Sequence, residues 1–269
     1  MQWPEPTEDT ALRLAILADI HGNLAALEAV LDDLSRRGPI DRIVNLGDCV
    51  SGPLWPAETC RLLMSHGWPT VRGNHDRAVA FDGVAGMWPS DAFAHAALST
   101  GQRAWLGALP CLTEFVPGVT AFHGRPGNDN RYTLEDIEGG KLVPAPATKV
   151  LTRLGTHART RLVLCGHSHQ PRLLQIEGGA LVVNPGSVGC PAYDDPGGIP
   201  HVSETGSPHA RYAIADIRRG TIDVDFLAVT YDHDAAVKRA LDNGRPAWAH
   251  ALATGFARSN FGTPACPGR

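Results

Sequence analysis

Apolar and polar positions along this chain follow two periods in alternation. Leu12–Ala18 alternates and then runs apolar, the pattern of a buried strand. From Asn23 to Arg37, Leu24, Leu27, Leu31 and Leu34 recur at helical spacing, and Gly38-Pro39 ends the pattern, so a strand–loop–helix unit is expected. Ile40–Leu46 reads as the next strand, Ala57–His66 as the next helix, and Thr70–Arg72 as a third strand. A β-α-β-α-β order over the first 75 residues argues for parallel strands joined by crossover helices. Residues 90–109, with Phe93, Ala97, Trp105 and Leu109, read as helical and without chemistry of their own.

After residue 110 the pattern shortens. Leu112–Val116, Val119–His123, Arg161–Cys165, Arg172–Glu177, Ala180–Val183, Arg211–Ile217 and Thr221–Val229 read as strands, with a hairpin turn at Ile176-Glu177-Gly178-Gly179-Ala180. A helix at Ala147–Gly155 interrupts them, and helical segments at Asp234–Asn243 and Trp248–Thr254 follow. Two sheets packed face to face with helices outside would account for this count. Asp194 to His209 is the longest stretch without periodicity and is expected to be a functional or mobile loop, placed to bring His201 and His209 over a site. The chain of 269 residues is expected to form one α/β domain, with its core at about residues 12–230, a helical segment at 231–256 and a flexible tail at 257–269.

Composition narrows the function classes. Lys and Arg number 24 against 28 Asp and Glu, giving a net charge of −4 with the signs interspersed. There is no basic stripe of the kind that dominates nucleic-acid binding. No run approaches the roughly 18 apolar residues that span a bilayer, and the acidic, Pro-broken start lacks the form of a secretory signal. Six cysteines without a Cys-x-x-Cys pair read as reduced thiols of a cytoplasmic protein, so zinc-finger chemistry is not expected.

Five of the apolar runs stop at residues able to bind a metal: Asp19-Ile20-His21, Gly47-Asp48, Gly73-Asn74-His75-Asp76, His123-Gly124 and Gly166-His167-Ser168-His169. Ligands of α/β sheets bind beyond the carboxyl ends of strands, so these runs can gather seven oxygen and nitrogen donors at one point. Residues i and i+2 of a strand end share a side, which lets Asp19 and His21 grip one ion, and His167 and His169 repeat that spacing. Taken singly each pair has a plain alternative as a turn or a satisfied core residue, and Asn23 reads as a helix N-cap. Taken together they suggest more than one ion. Two dications held ~3.5–4 Å apart need a shared anion to offset their repulsion, and Asp48 is the carboxylate suited to that. Asn74 offers a neutral oxygen, which leaves His75 to face the reacting group. Arg125, two residues past His123, is either a phosphate contact or a solvated surface residue.

These five motifs, in this order and spacing, resemble the calcineurin-like metallophosphoesterases. Asn184-Pro185-Gly186-Ser187-Val188-Gly189 and Ala210-Arg211-Tyr212-Ala213-Ile214 are similar to the small prokaryotic phosphodiesterase and phosphatase branch, and the resemblance covers roughly residues 12 to 230. It implies an αββα four-layer sandwich, two mixed sheets flanked by helices, with a two-metal site at the C-terminal strand ends. It also implies that Asp19, His21 and His169 hold one ion and Asn74, His123 and His167 the other, with Asp48 bridging and His75 unligated beside the substrate phosphate. In the protein phosphatase branch an aspartate shortly after the bridging one pairs with that histidine. Here Cys49-Val50-Ser51 follows Asp48, and Asp76 is badly spaced to substitute.

Such a donor set suits Mn2+ or iron, with Zn2+ also compatible. The expected activity is hydrolysis of a small phosphorylated substrate, a nucleotide among the candidates, by attack of a bridging hydroxide. The alternative is a non-catalytic protein-binding scaffold on the same fold, as in a retromer subunit of this superfamily that lacks the catalytic histidine. The presence of His75 favours catalysis. Substrate choice is expected to lie in residues 78–100, 125–135 and 190–210.

Overall fold

The computed structural model describes residues 12–81 and 83–258. Its first part runs β1 (Leu12–Leu17), α1 (Leu24–Arg36), β2 (Arg42–Asn45), α2 (Pro56–His66), α3 (Asn74–Phe81), α4 (Pro89–Ala97) and α5 (Thr100–Ala108). Next come β3 (Leu112–Val116), β4 (Val119–Phe122), β5 (Glu135–Glu138), β6 (Lys141–Pro144), α6 (Ala147–Leu154), β7 (Leu162–Leu164), β8 (Arg172–Gln175) and β9 (Leu181–Asn184). The last part is β10 (Ala192–Asp195), β11 (His201–Glu204), β12 (Ala210–Arg218), β13 (Thr221–Val229), α7 (His233–Asp242) and α8 (Pro246–Thr254).

Local chemistry sets the element ends. Asn23 accepts from the Ala26 amide and caps α1, whose Ala26, Leu27, Val30 and Leu34 turn inward. Pro56 opens α2, and Gly67 closes it in the left-handed conformation. The segment read as one helix over 90–109 is two. Ser99 and Gln102 form a capping box that starts α5 afresh.

One sheet has the order β13-β12-β1-β2, with β1 and β2 parallel. A second has the order β3-β4-β7-β9-β8, with β4, β7 and β9 parallel. Leu14 and Ile16 of β1 share a buried cluster with Ala121, Leu162 and Val183, so the two sheets face each other. Behind the first sheet, Ala15, Leu17 and Tyr212 pack on α1, α2 and α5. Behind the second, Val163 and Val182 pack on Val150 and Leu154 of α6. The expected sheets and flanking helices are therefore present.

Three expectations need correction. Thr70–Arg72 forms only a parallel bridge from Thr70 to Asn45. Pro69 removes a donor ahead of it, and the Arg72 amide turns away to the Pro110 carbonyl. The 194–209 segment is no long loop: it holds the second half of β10 and all of β11, which pair antiparallel. With the β5–β6 hairpin they form a third sheet, ordered β10-β11-β6-β5, beyond the two expected. The Asn74–Asp76 motif begins a helix, α3. The expected flexible tail lies outside the described residues from 259 onward.

Candidate metal centre

Asp19, Asp48, His123 and His167 follow the C-terminal ends of β1, β2, β4 and β7 within three residues. Among the described residues, the non-glycine positions with left-handed backbone are Asp19 (φ 55°), His21 (52°), Asp48 (53°), His167 (70°) and His169 (59°). Each costs about 1 kcal/mol or more and persists only where its surroundings over-determine it. Here the loops lace together. The Asp19 amide donates to the Gly47 carbonyl at 3.0 Å, the His21 amide to the Asp48 carbonyl at 2.9 Å, and the Gly166 amide to the His123 carbonyl at 2.8 Å. The Asp48 carboxylate accepts from the His75 amide at 3.0 Å, and a Cβ at Gly73 would overlap it. Asp19 accepts from the His167 amide at 3.2 Å. Strain of this kind, confined to the expected donors, points to function.

Two groups of donor atoms result, each lying within 4.8 Å of one another: Asp19, His21 and His169, and Asp48, His123 and His167. Asp48 Oδ2 stands 3.0 Å from His123 Nε2 and 3.9 Å from His21 Nε2, between the groups. Three imidazoles are turned the same way. His21 Nδ1 meets the Ser51 carbonyl, His123 Nδ1 the Leu46 carbonyl, and His169 Nδ1 the Cys190 carbonyl, each at 2.7 Å. A carbonyl only accepts, so each Nδ1 carries the proton and each Nε2 points into the site. His21 Nε2 and His169 Nε2 come within 3.1 Å of each other, a separation that a shared proton or cation must explain. Asn74 Oδ1 is buried without a hydrogen-bond partner, while Asp19 Oδ1 and His123 Nε2 face only ion-pair partners, His169 Nε2 at 3.4 Å and Asp48 Oδ2 at 3.0 Å.

The electrostatics agree. Burial opposes charge on His123, yet Asp48 and Asp19 outweigh it and raise the imidazole to about 9. His169 is likewise driven well up by Asp19 against burial. Burial and the neighbouring His169 push His21 down to about 4, and burial with His123 pushes His167 to about 3. Asp48 stays well below the carboxylate range because its histidine neighbours overcome burial. Two buried carboxylates thus hold positive charge that divalent ions can replace, through neutral imidazoles oriented by backbone carbonyls. The residues present fit that use.

His75 belongs to neither group. Its Nδ1 lies 2.8 Å from Asp91 Oδ1, and the Ser51 hydroxyl donates to the same oxygen at 2.6 Å. Burial lowers its affinity for a proton, but Asp48 and Asp91 prevail and raise it to about 9. The acidic partner that looked absent from the chain just after Asp48 therefore comes from α4. Ser51 occupies the near position and bonds to Asp91 instead. Residues 90–109, read as having no chemistry of their own, supply this partner through Asp91. Asp76 does not pair with His75: it is buried and accepts from the amides of Asp48 (2.8 Å), Cys49 (2.9 Å) and Gly73 (3.0 Å).

The donors open into a cavity of about 950 Å3. Arg125 lines it, with Nε donating to the Tyr132 carbonyl at 2.7 Å. His201 lines it as well and bonds the Tyr132 hydroxyl at 2.7 Å, whereas His209 turns to Ser207. Residues 88–90, 125–135 and 190–201 contribute walls as expected, and Arg245 and Trp248 of the closing helices add one that was not anticipated. No helix among the described residues is long and apolar enough to cross a membrane.

The chain is 26% identical to an uncharacterized protein of Methanocaldococcus jannaschii, over 87% of this chain and 94% of that one. A crystal structure of a metallophosphoesterase from Sphaerobacter thermophilus is 26% identical, with a TM-score of 0.70, covering 91% of this chain and all of the other. A hypothetical protein from Pyrococcus horikoshii, 20% identical, shares the fold at a TM-score of 0.69 over 90% of this chain and 98% of its own. Residues 12–206, which contain every donor described above, match the calcineurin-like phosphoesterase superfamily domain, and the chain belongs to that superfamily.

Proposed function

We propose that this chain is a phosphoester hydrolase with a dinuclear centre, acting on an organic phosphate. Asp19, His21 and His169 hold one divalent ion, Asn74, His123 and His167 the other, and Asp48 bridges them. The observation that carries this is the convergence of three carbonyl-oriented imidazoles on two buried carboxylates, with the Asn74 oxygen left unbonded. Mixed nitrogen and oxygen donors suit Mn2+ or iron, and Zn2+ also fits. When bound, the ions supply an activated water and Lewis acidity toward the phosphoryl oxygens.

The chain's own groups do the rest. His75 is held by Asp91, which lies outside both donor groups, and from there it can hand a proton to the leaving oxygen. Asp91 fixes the ring through Nδ1, which leaves Nε2 as the donating atom. Arg125 stands ready to pair a phosphoryl oxygen with its remaining guanidinium donors. A cavity of about 950 Å3 walled by Trp88, Trp248 and arginines is far larger than a phosphate, which favours a substrate with a planar ring, a nucleotide among them. One domain in the cytoplasm is the simplest setting for the five unpaired thiols among the described residues.

Hydrolysis of p-nitrophenyl phosphate and bis-p-nitrophenyl phosphate by the Mn2+-loaded protein tests the proposal. Replacing His75 with Ala should lower kcat by on the order of 10²–10⁴ while metal content is retained. Loaded protein without turnover on either ester, or a His75→Ala variant as fast as wild type, would sink it.

A further inference from the structure

The third sheet, and the loop leading into it, carry a group of rings and hydroxyls that the chemistry above does not use. Tyr132 lies in the loop between β4 and β5, Tyr193 on β10 and His201 on β11. His201 Nδ1 is 2.8 Å from the Ile199 carbonyl and so carries its proton, which leaves Nε2 to accept the Tyr132 hydroxyl at 2.7 Å. The Tyr132 oxygen accepts in turn from the Tyr193 hydroxyl at 2.8 Å, which also stands 3.3 Å from the His167 carbonyl. A single direction of donation satisfies this chain and pins both phenol rings.

Those rings face two of the proposed ligands. Tyr132 stacks on His167 with centroids 4.8 Å apart and planes 26° from parallel. Tyr193 meets His169 edge-on at 4.7 Å and 71°. The same sheet holds the backbone between them: the Ser203 hydroxyl donates to the Ser168 carbonyl at 2.7 Å, and the Gln170 side chain in turn donates through Nε2 to the Ser203 oxygen at 2.8 Å. Both histidines are left-handed, a conformation that needs such outside support.

We infer that the third sheet clamps the His167–His169 loop, with Tyr132 and Tyr193 as positioning residues that each serve one ion. Tyr132 acts through His167 on the ion shared with Asp48, Asn74 and His123. Tyr193 acts through His169 on the ion shared with Asp19 and His21. This rests on the two-ion proposal above. An imidazole whose plane is fixed beforehand loses little freedom when it binds, so releasing the ring should weaken the ion.

The test is uptake of Mn2+ by chelator-stripped full-length protein, followed by the electron paramagnetic resonance signal of free Mn2+. Wild type should bind two ions. Tyr132→Ala and Tyr193→Ala should each weaken one ion by about 10–100-fold and leave the other within about threefold. The Phe variants keep the rings and should fall between Ala and wild type. In a His169→Ala background Tyr132→Ala should remove the remaining tight uptake, and in a His123→Ala background it should leave it. Ala variants that bind both ions as wild type does, or that lose both equally, overturn the clamp. Wild-type protein that takes up no Mn2+ overturns the two-ion proposal itself, a separate outcome. Circular dichroism of the stripped variants checks folding, and Tyr132→Leu, which keeps bulk without an aromatic face, carries the same test where Ala does not fold.

Discussion

His75 owes its proton to two carboxylates that face it from different elements, Asp48 beyond β2 and Asp91 on α4. Without metal the two carboxylates raise it to about 9, and ions held on Asp48 offset that carboxylate's share, so turnover that depends on the His75 proton should fall with rising pH along a limb at or below about 9. Asp91→Asn removes one of the two charges. The alkaline limb of the kcat profile should then move down by about 1–3 units, and kcat should fall less than in His75→Ala. An unmoved limb would mean that Asp91 holds the ring without tuning it. Asp48 poses a different case, since it lies between both donor groups. Asp48→Asn takes away the charge proposed to offset two dications, so metal content measured after desalting should fall together with activity. A variant retaining both ions would contradict the bridge.

At the level of elements, the loop after β2 and the start of α3 act as one piece because Asp76 ties them. It collects three amides, two from the loop and one from Gly73, in a buried place. Asp76→Asn keeps the size but turns an NH2 toward an amide that needs an acceptor. Leaving one buried N–H unsatisfied costs about 1–3 kcal/mol, which a lowered Tm of the metal-free protein should register; an unchanged Tm would show that the loop is held by other means. How far such elements can be read from sequence follows from their length and burial. β1, β12 and the α1 stripe are legible because they are long or strongly apolar. β5, with Glu135, Asp136 and Glu138, and β10, with Asp194 and Asp195, are four-residue strands too short and too charged for a period to emerge. The donors were legible because each follows an apolar run. Asp91 was not, since a helix on which only it and Ala94 are fully enclosed gives no pattern that marks one acid as a partner for a distant histidine.

Across the whole molecule, the ends of two sheets gather the candidate donors, while elements remote in sequence close the space around them. α7 and α8 pack together through Ala236, Ala240, Ala249 and Leu252 against Leu54 of the loop after β2. Arg239 Nε and the Asn243 side chain anchor this pair to the Leu54 and Pro53 carbonyls at 3.1 and 2.7 Å. That docking brings the Trp248 ring to 5.9 Å from His21 and puts Arg245 in the cavity wall. Arg245 Nε is buried yet has no hydrogen-bond partner within the protein, so a substrate anion is its natural complement. A charge-assisted hydrogen bond is worth about 1.5–3 kcal/mol, about 10–100-fold in affinity. Arg245→Ala should therefore raise KM by that factor for a nucleotide carrying more than one phosphate. The effect on kcat should be small if that contact binds the ground and transition states alike. Hydrolysis of p-nitrophenyl phosphate, which has no second anion, should be unaffected. Equal losses on both substrates would place Arg245 in the chemistry itself, and no loss on either would leave this wall without a part in substrate choice.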